Sequence, residues 1–179
     1  MQQHIILSSQ DALYEKFKGL YATSFPIFEQ RSCDQQEVAF RDTRYRLLAY
    51  EKDQEFIGFI AYWQFVSYRY VEHFAISAHL RGQGFGSRLL RAFVQSTPTP
   101  VILEIDPIVD EVTKARLRFY RSCNFVENPF DHHHPPYRSE FSPHPLVVLS
   151  SGRALTEPEF RLFQTDLRQV VMRQATSTE

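Results

Sequence analysis

The sequence predicts an α/β fold that has α+β character because its sheet is mixed: a central β-sheet of about six to seven strands is flanked by helices. Two strands around a short turn, residues 45–51 and 55–65, form a hairpin that is apolar on both faces. A strand at residues 70–77 leads through a glycine-rich turn into an amphipathic helix, and a further strand follows at residues 101–105. Strands separated by a helix run parallel through a right-handed crossover, so a sheet that contains both arrangements is mixed.

The other elements follow from capping residues and hydrophobic periodicity. Together they predict a single domain over residues 1–179, with a C-terminal helix that docks on the domain or on a partner. Before the hairpin, we predict a strand at 4–8, a helix to about residue 24 capped by Ser9 or Asp11, a break at Pro26 and a weak helix at 34–41. After the strand at 101–105, we predict a helix at 111–123 capped by Asp110, a polar loop at 128–138 and a strand at 145–150. The chain then forms a helix at about 156–172, which opens with the capping box Thr156–Glu159, and a frayed end at 175–179.

Composition narrows the classes of partner. Hydrophobic residues make up 43% of the chain, which is enough for a core, and the formal net charge of −1 argues against a nucleic-acid surface. No apolar run is long enough for a membrane span, and the N-terminus lacks the pattern of a secretory signal. Cys33 and Cys123 have no paired spacing, which indicates reduced thiols. We therefore expect a cytoplasmic protein without membrane or nucleic-acid partners.

The glycine-rich turn at residues 81–87 is the strongest functional signal in the chain. Gly82, Gly84 and Gly86 alternate, which permits positive φ and a close approach of a ligand to the backbone. The turn feeds into a helix N-terminus, where free N–H groups and the helix dipole favour phosphate. No lysine follows as in a Walker loop, and the spacing differs from the dinucleotide fingerprint. The pattern predicts a pyrophosphate site.

This turn resembles the acyl-CoA-binding motif R/Q-x-x-G-x-G/A of the GNAT superfamily of N-acetyltransferases, with Arg81, Gly84 and Gly86 in the motif positions. A second segment, residues 118–125, is similar to the FYxxxGF element of that family. It departs from the pattern at Asn124, where the family has glycine, but asparagine also adopts the left-handed conformation that ends such helices. The resemblance extends over about residues 47–125. It implies direct acetyl transfer from acetyl-CoA to an amine, with no metal.

The resemblance also implies where acetyl-CoA and the acceptor bind. The exposed edge of the strand at residues 70–77 would hold pantetheine, the turn would hold the pyrophosphate, and the region after the first helix would cover the acceptor. Packing between helices is the alternative role for the phenylalanines of that region. The implied cofactor-binding residues are Phe74, Ala75, Ile76, Arg81, Gly82, Gln83, Gly84, Phe85, Gly86 and Ser87, and the implied acceptor contacts are Phe25, Phe28 and Glu29.

Acetyl transfer needs a proton donor for the thiolate and a proton acceptor for the amine. Tyr120, in the second family element, is the candidate acid, and packing against the cofactor is its alternative role. Glu72 and Glu104 interrupt apolar strands and are the candidate bases, with a slight preference for Glu72. Surface hydrogen bonds are the alternative for both. By strand alternation, His73 points to the opposite face from Glu72 and is expected to be packed.

The histidine run at residues 132–134 lacks the spacing of a metal site, so we expect a solvated loop without a metal. Adventitious nickel binding and a position over the acceptor pocket are the alternatives. Two functions remain open at this stage: an N-acetyltransferase acting on a small-molecule or peptide amine, and a catalytically silent CoA-binding module that serves regulation or interaction. Pairing of two copies into a homodimer through the C-terminal helix is compatible with either.

Overall fold

The computed structural model describes residues 1–173, which fold around a seven-stranded mixed sheet. The strands are β1 (Gln2–Ile6), β2 (Tyr45–Lys52), β3 (Glu55–Gln64), β4 (Arg69–Ile76), β5 (Val101–Ile105), β6 (Phe125–Glu127), β7 (His133–His134), β8 (His144–Pro145) and β9 (Val147–Ser151). The helices are α1 (Tyr14–Ser24), α2 (Cys33–Arg41), α3 (Phe85–Gln95), α4 (Glu111–Ser122) and α5 (Glu157–Asp166), with short 3₁₀ turns at Ile27–Glu29 and Ala78–Leu80.

The strand order across the sheet is β1-β2-β3-β4-β5-β9-β6, and β7 pairs with β8 in a separate ribbon. Strands β1 to β4 form an antiparallel meander, which confirms the predicted hairpin between β2 and β3. Its turn is closed by Asp53 and Gln54, whose φ values of 52° and 66° place both residues in the left-handed region that tight hairpin turns require. Seven strands, antiparallel and parallel together, confirm the predicted mixed sheet.

Strands β4 and β5 run parallel, as predicted from the helix that separates them. Within the described residues, their pairing is limited to Arg69 with Val101 and Tyr70 with Ile102. The rest of β4 therefore has β3 on one side and an unpaired edge on the other. This edge faces the cavity described below.

Both faces of the sheet are covered, as the two-sided apolar pattern of β3 predicts. On one face α1 and α5 pack over the sheet, with Phe17, Trp63 and Phe163 among the buried residues. On the other face α3 and α4 pack over it, and Leu90 and Leu103 are buried there. Burial on both faces explains why β3 carries an almost continuous apolar run.

The C-terminal helix docks on its own domain. Its predicted capping box is present, with Thr156 accepting from the Glu159 N–H, and Phe160 and Phe163 are buried in the core. The helix continues as a π-helical turn at Leu167–Val171. The prediction of fraying at 175–179 lies outside the described residues.

Several element predictions need correction. The first strand lies two residues earlier than predicted, and α1 begins at Tyr14 without a side-chain cap from Ser9 or Asp11. Strand β6 was not predicted, since three residues are too few to show alternation. The loop at 128–138 is not solvated throughout: His132 and His134 are buried, because their side chains turn toward Glu104 on β5.

Candidate active site

A cavity of about 970 Å³ lies beside the unpaired edge of β4. One end is lined by the glycine turn and the start of α3, and the other by the turn after α1, the end of β5 and the β7–β8 ribbon. We call these the cofactor end and the acceptor end. The acceptor end includes Glu29, Glu104, Asp106, His134 and His144.

The glycine turn has the geometry of an anion site. Gly82 and Gly84 have φ values of 77° and 79°, and a Cβ added at Gly84 would meet no heavy atom within 4 Å. Gly84 immediately precedes α3, so the first amides of that helix have no intrahelical acceptor and point out of the helix start. The space in front of Gly84 and these N–H groups suit a phosphate.

The ten predicted cofactor residues do not all point into the cavity. Gln83 donates from its side-chain amide to the His79 carbonyl at 3.1 Å, and the Phe85 ring is buried in the core. Phe85 and Gln83 can therefore contribute through the backbone alone. Eight of the ten predicted cofactor residues line the cavity: Phe74, Ala75, Ile76, Arg81, Gly82, Gly84, Gly86 and Ser87.

The β4 edge presents backbone groups to the cavity. The Ser77 N–H donates to the Ile57 carbonyl at 2.9 Å, on the β3 side. Because N–H and C=O groups alternate sides along an antiparallel strand, Phe74 and Ile76 direct theirs toward the open side and Ala75 toward β3. Arg81 Nε donates to the Ile76 carbonyl at 3.2 Å, which ties the glycine turn to this edge.

Tyr120 lines the cavity from α4. Its ring packs edge-on against Phe119 and Phe125, with ring centroids 5.1 Å and 5.9 Å away. Burial raises the pKa of the Tyr120 phenol to about 12, so the hydroxyl keeps its proton at neutral pH. Asn124 ends the helix in the predicted left-handed conformation, with φ 69°.

Glu72 lies at a bulge in β4. Val71 pairs with Tyr62 and His73 pairs with Ala61, so Glu72 is the extra residue. The bulge brings neighbouring side chains to the same side of the strand, and His73 Nδ1 lies 4.0 Å from Glu72 Oε1. The expectation that His73 points to the opposite face is therefore wrong, although it is packed and buried as predicted.

The Glu72 carboxylate is buried and fully partnered. It accepts from Trp63 Nε1 at 2.7 Å and from the Tyr137 hydroxyl at 2.9 Å, and it forms an ion pair with Arg31 at 2.8 Å. Burial alone would raise the pKa of Glu72, but Arg31, His73 and these hydrogen bonds outweigh it and lower that pKa. A carboxylate held in this way balances the buried Arg31 charge and is a weak proton acceptor.

Glu104 is buried at the acceptor end, on β5. The Tyr70 hydroxyl donates to its Oε1 at 2.5 Å, and His132 Nε2 lies 2.5 Å from its Oε2. Burial would raise the pKa of Glu104, but His134, His132 and Tyr70 together lower it. Glu72 is paired with an arginine, whereas the basic partners of Glu104 within residues 1–173 are His132 and His134.

The predicted acceptor residues all line the cavity. Phe25 packs edge-on against His73 at 4.8 Å, and Phe28 packs against His144 at 5.4 Å, so both also have packing roles. Burial, followed by the nearby Asp106, raises the pKa of the Glu29 carboxyl to about 7. Glu29 is thus a partly buried acid that titrates near neutrality.

The sequence interpretation favoured a solvated loop for the segment after β6 and gave a position over the acceptor pocket only as an alternative. His134, Tyr137 and His144 line the acceptor end, and Asp106 lies there with Arg116, 2.5 Å from it. The histidine run was the available signal, but its spacing suits no metal. Among residues 1–173, no group of three or more His, Cys, Asp or Glu side chains can hold a metal ion.

Solved structures share this fold. A GNAT-family protein of Bacteroides thetaiotaomicron, provisionally named an acetyltransferase, matches with a TM-score of 0.88 at 28% identity, over 96% of this chain and 98% of its own. A Bacillus subtilis acetyltransferase in complex with CoA matches with a TM-score of 0.58 at 12% identity, over 84% of this chain and 97% of its own, which shows the fold alone. The fold is that of the acetyltransferase class.

The sequence comparison gives the family. The model described as Acetyltransferase (GNAT) family matches residues 11–125, so the chain belongs to this family. YjbC of Bacillus subtilis (strain 168), provisionally named an acetyltransferase, is 32% identical over 103 residues, which are 56% of this chain and 52% of YjbC. The chain therefore spans about half the length of this curated relative. Across residues 1–173, no helix has the length and apolar character needed to cross a membrane.

Proposed function

We propose that the protein is an acetyl-CoA-dependent N-acetyltransferase that transfers acetyl directly to a primary amine. The observation that carries the proposal is the continuity of the cavity. A phosphate-binding turn at one end and a group of carboxylates and histidines at the other open into the same space. An anionic cofactor and a cationic amine can therefore meet within it.

The cofactor end supplies donors suited to CoA. Amides at the start of α3 bind the pyrophosphate, and Arg81 adds positive charge beside them. The backbone of Phe74 and Ile76 pairs with the pantetheine amides, as a strand would. When bound, acetyl-CoA supplies a thioester carbonyl that an amine can attack.

Two further groups on this side act on the chemistry. A backbone N–H of the open β4 edge stabilises the negative charge that develops on the carbonyl oxygen. Tyr120 holds a proton on its hydroxyl oxygen and donates it to the departing sulfur. The raised pKa of this phenol fits a group that must be protonated before each transfer.

The acceptor end is suited to an ammonium group. Glu29 has no ion-pair partner within residues 1–173, and the rings of Phe25 and Phe28 lie beside it along the cavity wall. An alkylammonium can place its charge near the carboxylates and its carbon chain against the rings. We include Phe25, Phe28 and Glu29 in the proposal as acceptor contacts.

Of the two candidate bases, the geometry favours Glu104 over Glu72. Glu72 already neutralises the buried Arg31, so protonating it would leave a buried guanidinium unpaired. We therefore assign Glu72 a positioning role. Glu104 is the carboxylate that lies where the amine loses its proton.

Screening primary amines with acetyl-CoA, while measuring release of free thiol, tests this proposal. The panel includes small alkylamines, polyamines, lysine and peptides with free N-termini. We expect thiol release that depends on both the amine and the protein. Acetyl-CoA binding by calorimetry without thiol release from any amine would instead identify a catalytically silent CoA-binding module.

We also propose a cytoplasmic location, an amine partner and a limit on how two copies can pair. Cys33 and Cys123 are both free, which fits the reducing cytoplasm. The partner is a small-molecule or peptide amine, and any homodimer must form through surfaces other than the buried face of α5. Sedimentation of the purified protein measures its oligomeric state.

A further inference from the structure

His134 occupies a defined position at the acceptor end. It lies on β7, is 2% exposed, and lines the cavity. Its ring stacks on Tyr137 with centroids 5.2 Å apart and faces His144 at 5.5 Å. A buried histidine whose ring is held on two sides has a fixed orientation. The partner of each ring nitrogen therefore indicates which nitrogen carries the hydrogen.

The hydrogen bond at Nδ1 determines the proton positions. His134 Nδ1 lies 2.6 Å from the Pro135 carbonyl oxygen. A carbonyl can only accept, so Nδ1 carries the hydrogen. In the neutral imidazole, Nε2 then has the free lone pair. The nitrogen that can take up a proton is therefore Nε2.

His134 Nε2 faces Glu104. It lies 3.9 Å from Glu104 Oε1, which is too far for a direct hydrogen bond. Both atoms are acceptors when the imidazole is neutral, and the Tyr70 hydroxyl and His132 hold the carboxylate from other sides. Two acceptors at this separation suit one shared donor with several N–H bonds, such as an ammonium group.

We propose that the acceptor ammonium binds between Glu104 Oε1 and His134 Nε2 and gives its proton to His134 Nε2. This inference rests on the proposed acetyl transfer. An alkylammonium becomes a neutral amine with a free lone pair, and the imidazole becomes an imidazolium. Glu104 balances one positive charge before the transfer and one after it. The imidazolium then releases the proton to solvent.

Of the two groups that face the ammonium, the imidazole suits this step better than Glu104 does, because the hydrogen bonds and histidines around Glu104 lower its pKa. An alkylammonium has an ordinary pKa of about 10, against about 6.5 for histidine and about 4.3 for glutamate as residue types. At these ordinary pKa values, proton transfer to an imidazole is roughly a hundredfold more favourable than transfer to a glutamate carboxylate. Glu104 contributes by attracting the ammonium and stabilising the imidazolium.

The neighbouring histidines and the tyrosine around His134 are less able to take up the proton. His73 Nε2 donates to the Glu29 carbonyl at 2.8 Å, and burial lowers the pKa of His73 to about 4. Burial also lowers the pKa of His144, and the Tyr137 hydroxyl donates to Glu72. Glu29 and Asp106 are the remaining charged groups nearby on the wall, with Arg116 beside Asp106.

The histidine run supplies a matched control. His133 is next to His134 on the same strand, but its side chain is 52% exposed and faces an exposed Asp131. His132 is buried with its Nε2 on Glu104 and is a positioning residue. Substituting His133 changes the same residue type at the same strand without changing the cavity.

The first experiment compares His134→Gln with His133→Gln, using an amine that supports thiol release by the parent. We expect His134→Gln to lower kcat/KM by about a hundredfold or more at pH 7.5 and to keep its acetyl-CoA affinity. The variant rate should rise only toward the amine's own titration at about pH 10, so that its pH–rate profile differs from that of the parent. His133→Gln should keep the parent profile. A parent-like profile in a folded His134→Gln variant overturns the inference.

The second experiment needs neither an acceptor nor a variant. Nitrogen-15 NMR of histidine-labelled protein at pH 9 should show His134 protonated at Nδ1 and unprotonated at Nε2. A hydrogen on Nε2 overturns the inference, also where His134→Gln fails to fold. Failure of the parent to release thiol with every amine overturns the proposed function as well, whereas an active parent with an unaffected His134→Gln overturns the role of His134 alone.

Discussion

The two ends of the cavity are built in different ways. The cofactor end comes mainly from one continuous stretch, from β4 through the glycine turn into α3, with Tyr120 added from α4. The acceptor end combines the turn after α1, strands β4 and β5, and the β7–β8 ribbon, which are far apart in the chain. A local motif thus forms the end that we propose for CoA, while long-range packing forms the end that we propose for the amine acceptor.

The ends also differ in charge. Backbone N–H groups and Arg81 face the cavity at one end, and carboxylates and histidines face it at the other. Next to the acceptor end, Glu72 forms a buried ion pair with Arg31, and Arg31 also donates to the carbonyl of Val171 at 2.7 Å. The acceptor end should therefore depend on global stability more than the cofactor end does.

The largest expected effect follows from breaking this buried pair. Glu72→Gln leaves the Arg31 guanidinium without its counter-charge, and we expect the free energy of unfolding to fall by about 3–5 kcal/mol at pH 7. Urea denaturation measures the loss. The control is Glu111→Gln, which removes an exposed pair with Lys114 and should cost at most about 1 kcal/mol. Equal losses in the free energy of unfolding for the two variants would show that the buried pair contributes no more to stability than an exposed pair does.

The same variant has a pH signature. The pKa of Glu72 is lowered in the folded protein, so its contribution is complete above the ordinary glutamate pKa of about 4.3 and is lost as pH falls through the folded value. The parent should therefore lose stability in acid more steeply than Glu72→Gln does. Parallel curves for the two proteins would contradict the ion-pair role.

Tyr120→Phe is the next largest effect and separates chemistry from binding at the cofactor end. Removing the hydroxyl while keeping the ring should lower kcat by about a hundredfold, because the departing sulfur loses its proton donor. The acetyl-CoA affinity should stay unchanged by calorimetry. Tyr62→Phe, whose ring packs on Phe93 outside the cavity, is the control. If kcat of Tyr120→Phe stays within a few-fold of the parent, Tyr120 is a packing residue.

Gly84→Val tests the local motif. The substitution strains a backbone with φ 79° and places methyl groups in front of the α3 amides. We expect at least about a tenfold weaker acetyl-CoA affinity, which is about 1.4 kcal/mol. Gly19→Ala, in the middle of α1 with open space around its Cβ position, is the control and should bind normally. Unchanged affinity in a folded Gly84→Val protein would remove the basis for the phosphate site.

The smallest expected effect concerns Glu29. Its raised pKa of about 7 means that folding favours the protonated acid, so Glu29 costs stability as pH rises from about 4.3 to 7. Glu29→Gln should therefore raise Tm slightly at pH 8 and leave it unchanged at pH 4. It should also raise KM for a cationic amine at pH 8. Glu140→Gln, at an exposed position, should change neither quantity.

Local features were readable from the sequence because each depends on neighbours in the chain. The positive φ at Gly84, the left-handed Asn124, and the caps at Asp110 and Thr156 follow from residue type and spacing within a single turn. The β4–α3–β5 crossover also follows from local periodicity, because the handedness of such units is general. These features were enough to predict the fold class and the conformation of the glycine turn at which we propose the phosphate site.

The acceptor end could not be read in the same way. Strand alternation placed Glu72 and His73 on opposite faces, but a bulge that depends on pairing with β3 brought them together. The histidine run looked like a polar loop, and only the packing of β7 over β5 placed His134 opposite Glu104. The sequence alone therefore determined the fold class and the glycine turn, whose conformations depend on residues a few positions apart. The tertiary structure decided the partners of each carboxylate, because burial and pairing depend on segments that meet only after folding.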